Sequence, residues 1–132
     1  MKRSPVLQPL SREHHSALTL AKACERAALS GDEVVVNLTC QRVIRAYANE
    51  LEPHFRFEEV SLLPLLHGTE TQPLAERTLA DHQQLRGLLD ALRQNDANDA
   101  RALDSFGKCL SAHVRFEERE LFPVLESLLQ RE

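Results

Sequence analysis

Apolar residues recur at intervals of three and four along almost the whole chain, the spacing that lines one face of an α-helix. Leu10, Ala17, Leu18 and Ala21 predict a first helix over about 9–29. Ser30-Gly31-Asp32 interrupts it, and Asp32 is placed to cap the next helix. Val35, Leu38, Val43, Tyr47 and Leu51 carry a second helix towards Leu66, with a kink or short break expected at Pro53. His67-Gly68 ends it, and Thr69 or Thr71, followed by Pro73, opens a third helix over about 72–93. After a polar loop at 94–99, a fourth helix spans about 99–129. No stretch alternates in the manner of a strand. Four long helices with short connections predict an all-α protein, an up-down-up-down four-helix bundle.

Composition narrows the setting. The 132 residues suit one domain, residues 1–132, with one core. Net charge is −4 and no basic stripe appears, which argues against nucleic acid as a partner. No apolar run reaches the roughly 20 residues of a membrane span. The opening MKRSPVLQPLSREHH lacks the apolar core and cleavage site of a signal peptide. Cys24, Cys40 and Cys109 are an odd, scattered set, as expected for buried thiols in a reducing cytoplasm.

One internal repeat bears on chemistry. HFRFEEVSLLPLL at 54–66 matches HVRFEERELFPVL at 113–125 in eight of thirteen positions. Glu13-His14 on the first helix is echoed by Asp81-His82 on the third. Residues four apart share a helix face, so His54 with Glu58, and His113 with Glu117, form two equivalent claws. His14 and His82 enter from the other two helices. Four imidazoles and two carboxylates then meet in one core layer, where ionisable groups without partners cost several kcal/mol each. A pair of cations removes that penalty, with the carboxylates bridging and the imidazoles completing each side. Nitrogen and oxygen ligands without thiolate suit iron or manganese and admit zinc. With an oxo or hydroxo bridge, the set fills about ten of roughly twelve positions on two metals, leaving about two for O2, peroxide, NO or water.

Adjacent residues cannot both point inward, so one of His14 and His15 is the ligand. His14 continues the stripe of Leu10, Leu18 and Ala21, whereas His15 lies near Arg12 and Lys22. Glu58 and Glu117 fit the one-turn spacing better than Glu59 and Glu118, which read first as solvated surface, like Glu120, and second as acceptors for a ligand imidazole's N–H. Tyr47 reads as core, Cys109 as an inert thiol, His67 as a helix-end histidine, and Arg56 and Arg115 as surface residues paired with acids.

The segments LSREHHSAL, PHFRFEEVSLLPLL, LADHQQLRGLL and LSAHVRFEERELFPVL, in this order, resemble the hemerythrin-like, or HHE cation-binding, family over nearly the whole chain. The resemblance implies a four-helix bundle holding two iron ions joined by an oxygen bridge, with His14, His54, Glu58, His82, His113 and Glu117 as ligands. Respiratory hemerythrins carry a further histidine where this chain has Thr78, and their last carboxylate falls at the position of Glu118. The missing imidazole points away from reversible O2 carriage and towards sensing, iron handling or stress repair.

The reading this supports is a di-iron protein that binds or senses O2, NO or peroxide, through a protein partner the sequence does not name. A di-iron peroxidase, oxidase or nitric-oxide-handling enzyme is the alternative. Ferritin-like chemistry uses Glu-x-x-His pairs, and no histidine here has an acid three residues before it. A histidine phosphotransfer module needs an exposed histidine, whereas these are paired with carboxylates that repel a phosphoryl donor.

Overall fold

Four helices form among the described residues, and the order of apolar residues along each one fixes its direction. The computed structural model describes residues 3–94 and 98–131, so positions 95–97 of the expected polar loop lie outside the described residues. We label the helices α1 (Gln8–Leu29), α2 (33–65), α3 (Gln72–Gln94) and α4 (100–130). No strand occurs among the described residues.

The buried apolar residues divide into two clusters. One contains Leu7, Leu10, Leu62, Leu63, Leu66, Ala75, Leu121, Phe122 and Leu125. The larger one contains Ala17–Ala27 of α1, Val36–Phe55 of α2, Leu85–Leu92 of α3 and Ala102–Val114 of α4 at its inward positions. α1 and α3 therefore run from the small cluster to the large one, and α2 and α4 run back. This is the up-down-up-down order the sequence predicts. Along every helix the histidines and glutamates of interest fall where one cluster gives way to the other.

Local chemistry sets the helix ends. α1 stops at Ser30, whose N–H donates to the Ala27 carbonyl at 3.1 Å, and Gly31 turns the chain with φ of 67°, open to glycine without strain. The Asp32 carboxylate accepts from Val34 N–H at 2.9 Å and Val35 N–H at 3.3 Å, the cap expected of it. Asp99 caps α4 by accepting from Ala102 N–H at 2.9 Å. α1 packs closely along α4. At Gly107 a Cβ would sit 2.7 Å from the Ala21 carbonyl oxygen, so only glycine allows this approach.

α2 and α4 are not continuous α-helix. Single π turns occupy Tyr47–Leu51, Glu58–Leu62 and Glu117–Leu121, and a proline follows each one, two residues past its end: Pro53, Pro64 and Pro123. Proline has no N–H, and its ring clashes with the carbonyl four residues back in an α-helix. A widened turn relieves both problems. The amides of Glu52, Leu63 and Phe122 reach carbonyls five residues back, at Tyr47, Glu58 and Glu117. The break expected at Pro53 is thus a π turn. Those before Pro64 and Pro123 follow from the same physics but were not anticipated.

Candidate metal centre

All six side chains singled out by spacing converge in the layer between the two apolar clusters. None of His14, His54, Glu58, His82, His113 and Glu117 is more than 6 % exposed. His15 is exposed, and His14 is the one of the pair buried among the other five. Each imidazole turns Nε2 inward. His14 Nε2 lies 2.7 Å from Glu117 Oε1, and His82 Nε2 lies 3.0 Å from Glu58 Oε1. His54 Nε2 is 3.2 Å from Glu58 Oε2, and His113 Nε2 is 3.4 Å from Glu117 Oε2.

These atoms fall into two overlapping groups. His14, His54, Glu58 and Glu117 offer ligand atoms all within 4.8 Å of one another, and so do Glu58, His82, His113 and Glu117. Both carboxylates belong to both groups. Three inward atoms, Glu58 Oε2, Glu117 Oε2 and His113 Nε2, are buried without a hydrogen bond. Buried polar atoms are rarely left so, because each unmet bond costs about 1–3 kcal/mol. Two cations between the groups would meet those lone pairs, so the donor set fits a two-metal site.

The outward nitrogens are fixed as carefully. His14 Nδ1 lies 2.6 Å from Glu118, His82 Nδ1 2.6 Å from Glu59, His54 Nδ1 2.9 Å from Glu13, and His113 Nδ1 2.9 Å from Asp81. With Nδ1–H donating to an acid, the Nε2 lone pair faces the centre and the imidazole becomes a better ligand. The pattern is reciprocal. The residue before each histidine of α1 and α3 holds a histidine of α2 or α4, and the residue after each inward glutamate holds a histidine of α1 or α3. The surface reading of Glu59 and Glu118 is therefore corrected, and their second reading is the one the structure places. Glu13 and Asp81 entered only as repeat markers; their position beside His14 and His82 was the signal that could have found them.

The acids are held in turn. Glu118 accepts from Ser11 Oγ at 2.8 Å and from Arg3 at 3.1 Å. Arg86 spans Glu59 at 3.0 Å and Glu52 at 3.0 Å, and the Tyr47 hydroxyl donates to Glu52. Tyr47 is core, as expected, with its hydroxyl tied into this network.

Buried acids and imidazoles shift one another at the centre. Burial alone would depress His54, but hydrogen bonds and charge from Glu117 and Glu58 override it and hold the imidazole at about 11. Burial is likewise overcome at His113, held at about 10 by Glu117 and Asp81, and at His14, raised by Glu117 and Glu118. Burial and the neighbouring Glu117 charge raise Glu58. Against its own burial, Glu117 is lowered well below the usual range, by His113 first and then by hydrogen bonds with Glu58 and His14. Glu118, against burial, is drawn to about 2 by His14, Ser11 and Arg3.

The hemerythrin HHE cation-binding domain model matches residues 6–125. This chain belongs to that family. A search of curated proteins and one of solved structures each returned no significant match. Within this hemerythrin-family chain, two positions differ from the respiratory pattern. Thr78 is fully buried, and its hydroxyl donates to the Leu74 carbonyl at 2.8 Å, so no fifth imidazole enters there. The inward carboxylate of α4 is Glu117, one turn after His113, while Glu118 holds His14 from outside.

Elsewhere the expectations divide. Cys24 and Cys40 are buried and Cys109 is partly so; burial raises all three thiols, Cys24 to about 12, which leaves them poor nucleophiles. His67 and Glu120 are exposed. Arg56 lies 3.8 Å from Glu52 on the surface, and Arg115 is exposed.

A cavity of about 410 Å³ opens between α1, α2 and α4 and reaches His14, His54 and His113. On the other side of the centre His82 is fully buried. Phe55 stacks on His82 with centroids 4.0 Å apart, and Glu59 and Arg86 cover its outer edge.

Proposed function

We propose that this chain holds two iron ions, one between His14 and His54 and one between His82 and His113, with Glu58 and Glu117 shared, and that it binds or senses O2, NO or peroxide there. The observation that carries this is the pair of ligand groups overlapping in both carboxylates, with three inward atoms that make no hydrogen bond. When bound, iron supplies redox chemistry and Lewis acidity at the centre. The chain's own part is orientation: Glu13, Glu59, Asp81 and Glu118 fix the four rings, and the cavity beside His54 gives small molecules a path. Manganese and zinc suit the same donors and would compete for them. No described helix is long and apolar enough to cross a membrane, and three free thiols support work in a reducing cytoplasm.

Aerobic protein from iron-replete cells should show near-ultraviolet charge-transfer bands that change when NO or peroxide is added. A spectrum unaffected by both, in protein containing iron, contradicts the sensing role. Catalytic turnover of peroxide or NO is the second reading, favoured by a cavity larger than a diatomic molecule needs. Multiple turnovers, lost in Glu58→Ala and Glu117→Ala, would establish it.

A further inference from the structure

The pseudo-symmetry that pairs the two halves fails just ahead of His54, and the cavity lies there. The repeat that matches His54 with His113 also matches Pro53 with Ala112, and the π turn Tyr47–Leu51 with regular α-helix at 106–110. With Ala112 where α2 has Pro53, α4 stays α-helical over 106–110. On α2 the widened turn and the proline supply Asn49, Glu50, Leu51 and Pro53 to the cavity wall. The α2 part of the wall thus has no counterpart in the other half.

Its size exceeds what the proposed ligands require. A volume of about 410 Å³ compares with roughly 30 Å³ for a water molecule in the liquid, and falls in the range of about 300–1,000 Å³ typical of organic ligand sites. The wall divides by chemistry. Buried Ala17, Leu20, Leu51, Phe55, Leu110 and Val114 make an apolar interior against His54 and His113. The exposed rim mixes Arg42 and His15 with Glu13 and Glu50, and adds the neutral hydrogen-bonding groups of Ser16, Thr19 and Asn49. A head of either charge meets attraction and repulsion together at such a rim. An uncharged hydroxyl meets only donors and acceptors, and an aromatic ring fits the interior.

We infer that this cavity is a binding site for a small uncharged phenol or aromatic alcohol, seated beside His54 and walled in part by the Pro53 π turn. The inference deepens the proposed reading by naming a second class of molecule at the same centre, and rests on that reading only for the occupant's role. Binding itself is a property of the fold and needs no metal.

Phenol, benzoate and benzylamine share one ring and differ in charge, so they serve as probes. Ligand-observed NMR titration of chelator-treated protein should give phenol a dissociation constant on the order of 1 mM or tighter. Benzoate and benzylamine should bind at least about tenfold more weakly, since burying either charge in the apolar interior costs more than the mixed rim returns. Ala46→Phe narrows the mouth and should weaken phenol at least about tenfold, with iron content and melting temperature showing that the fold survives. If that variant does not fold, Asn49→Phe at the exposed rim takes its place. In manganese(II)-loaded protein, bound phenol should relax measurably faster. No phenol binding, equal binding of all three probes, or affinity unchanged by the mouth variant overturns the inference. A chain that takes up two irons yet ignores phenol overturns this inference alone. One that binds phenol but takes up no metal overturns the proposed function and leaves the cavity site standing.

Discussion

Glu117→Gln replaces a fully buried carboxylate by a neutral side chain of nearly the same shape, so it isolates charge from packing. In metal-free protein Glu117 lies 2.7 Å from His14, 3.4 Å from His113 and 3.7 Å from His54. Breaking a buried ion pair by removing one partner costs about 3–5 kcal/mol. The imidazoles can release protons in response, which favours the lower end of that range. Against a total stability of about 5–15 kcal/mol, the loss is large. For a chain of this size it corresponds to a fall in Tm of roughly 10–20 °C. The consequence for metal is sharper. Glu117 belongs to both ligand groups, whereas His82 belongs to one. Glu117→Gln should therefore lose both irons, and His82→Ala only one. Calorimetry on chelated protein and metal analysis on loaded protein measure the two effects. A Glu117→Gln protein that melts within about 1 kcal/mol of the parent and still carries two irons refutes the shared-carboxylate argument.

Other predictions follow from the same geometry. In metal-free protein, His54 at about 11 and His113 at about 10 contribute stability that is full below their ordinary value of 6.5, declines as pH rises, and is gone above their folded values. Glu118 at about 2, with its ordinary value of 4.5, contributes stability lost as pH falls through that interval. The Tm of chelated protein should accordingly peak between the two ordinary values and fall by pH 10; a Tm that rises through neutral pH contradicts this assignment. Glu118→Ala should weaken metal at the His14 side by about 10–100-fold and spare the His82 side, giving two phases in a chelator competition; a single unchanged phase counts against it. Gly107→Ala gains helix propensity of about 1 kcal/mol but forces its Cβ to 2.7 Å from the Ala21 carbonyl oxygen, so thermal melts should show net destabilisation, and a stabilised variant would show that α1 and α4 can part.

The helix number, their directions and the six converging side chains were legible in the sequence because periodicity and duplication constrain them together. A single His-x-x-x-Glu carries little weight. The repeat at 54–66 and 113–125, with His14 and His82 on the remaining helices, leaves few arrangements that keep apolar faces inward. What the chain did not reveal has identifiable causes. Glu59 and Glu118 follow directly after inward glutamates, and adjacent helical residues point in different directions, so each reads as surface until a neighbouring helix is in place. Glu13 and Asp81 act across helix pairs, on His54 and His113, and pattern within one helix does not show that. The π turns at Pro64 and Pro123 were hidden because proline in an apolar-periodic run signals a disturbance without saying how the backbone absorbs it. Pro53 stands in the cavity wall where the other half has Ala112, a difference visible in the sequence but without meaning until the turn is seen.

The most direct test of the central claim is anomalous diffraction at the iron edge from crystals of iron-loaded protein. Two peaks are predicted, one flanked by His14 and His54, the other by His82 and His113, with Glu58 and Glu117 reaching both. A single peak, or density away from these side chains, contradicts the account.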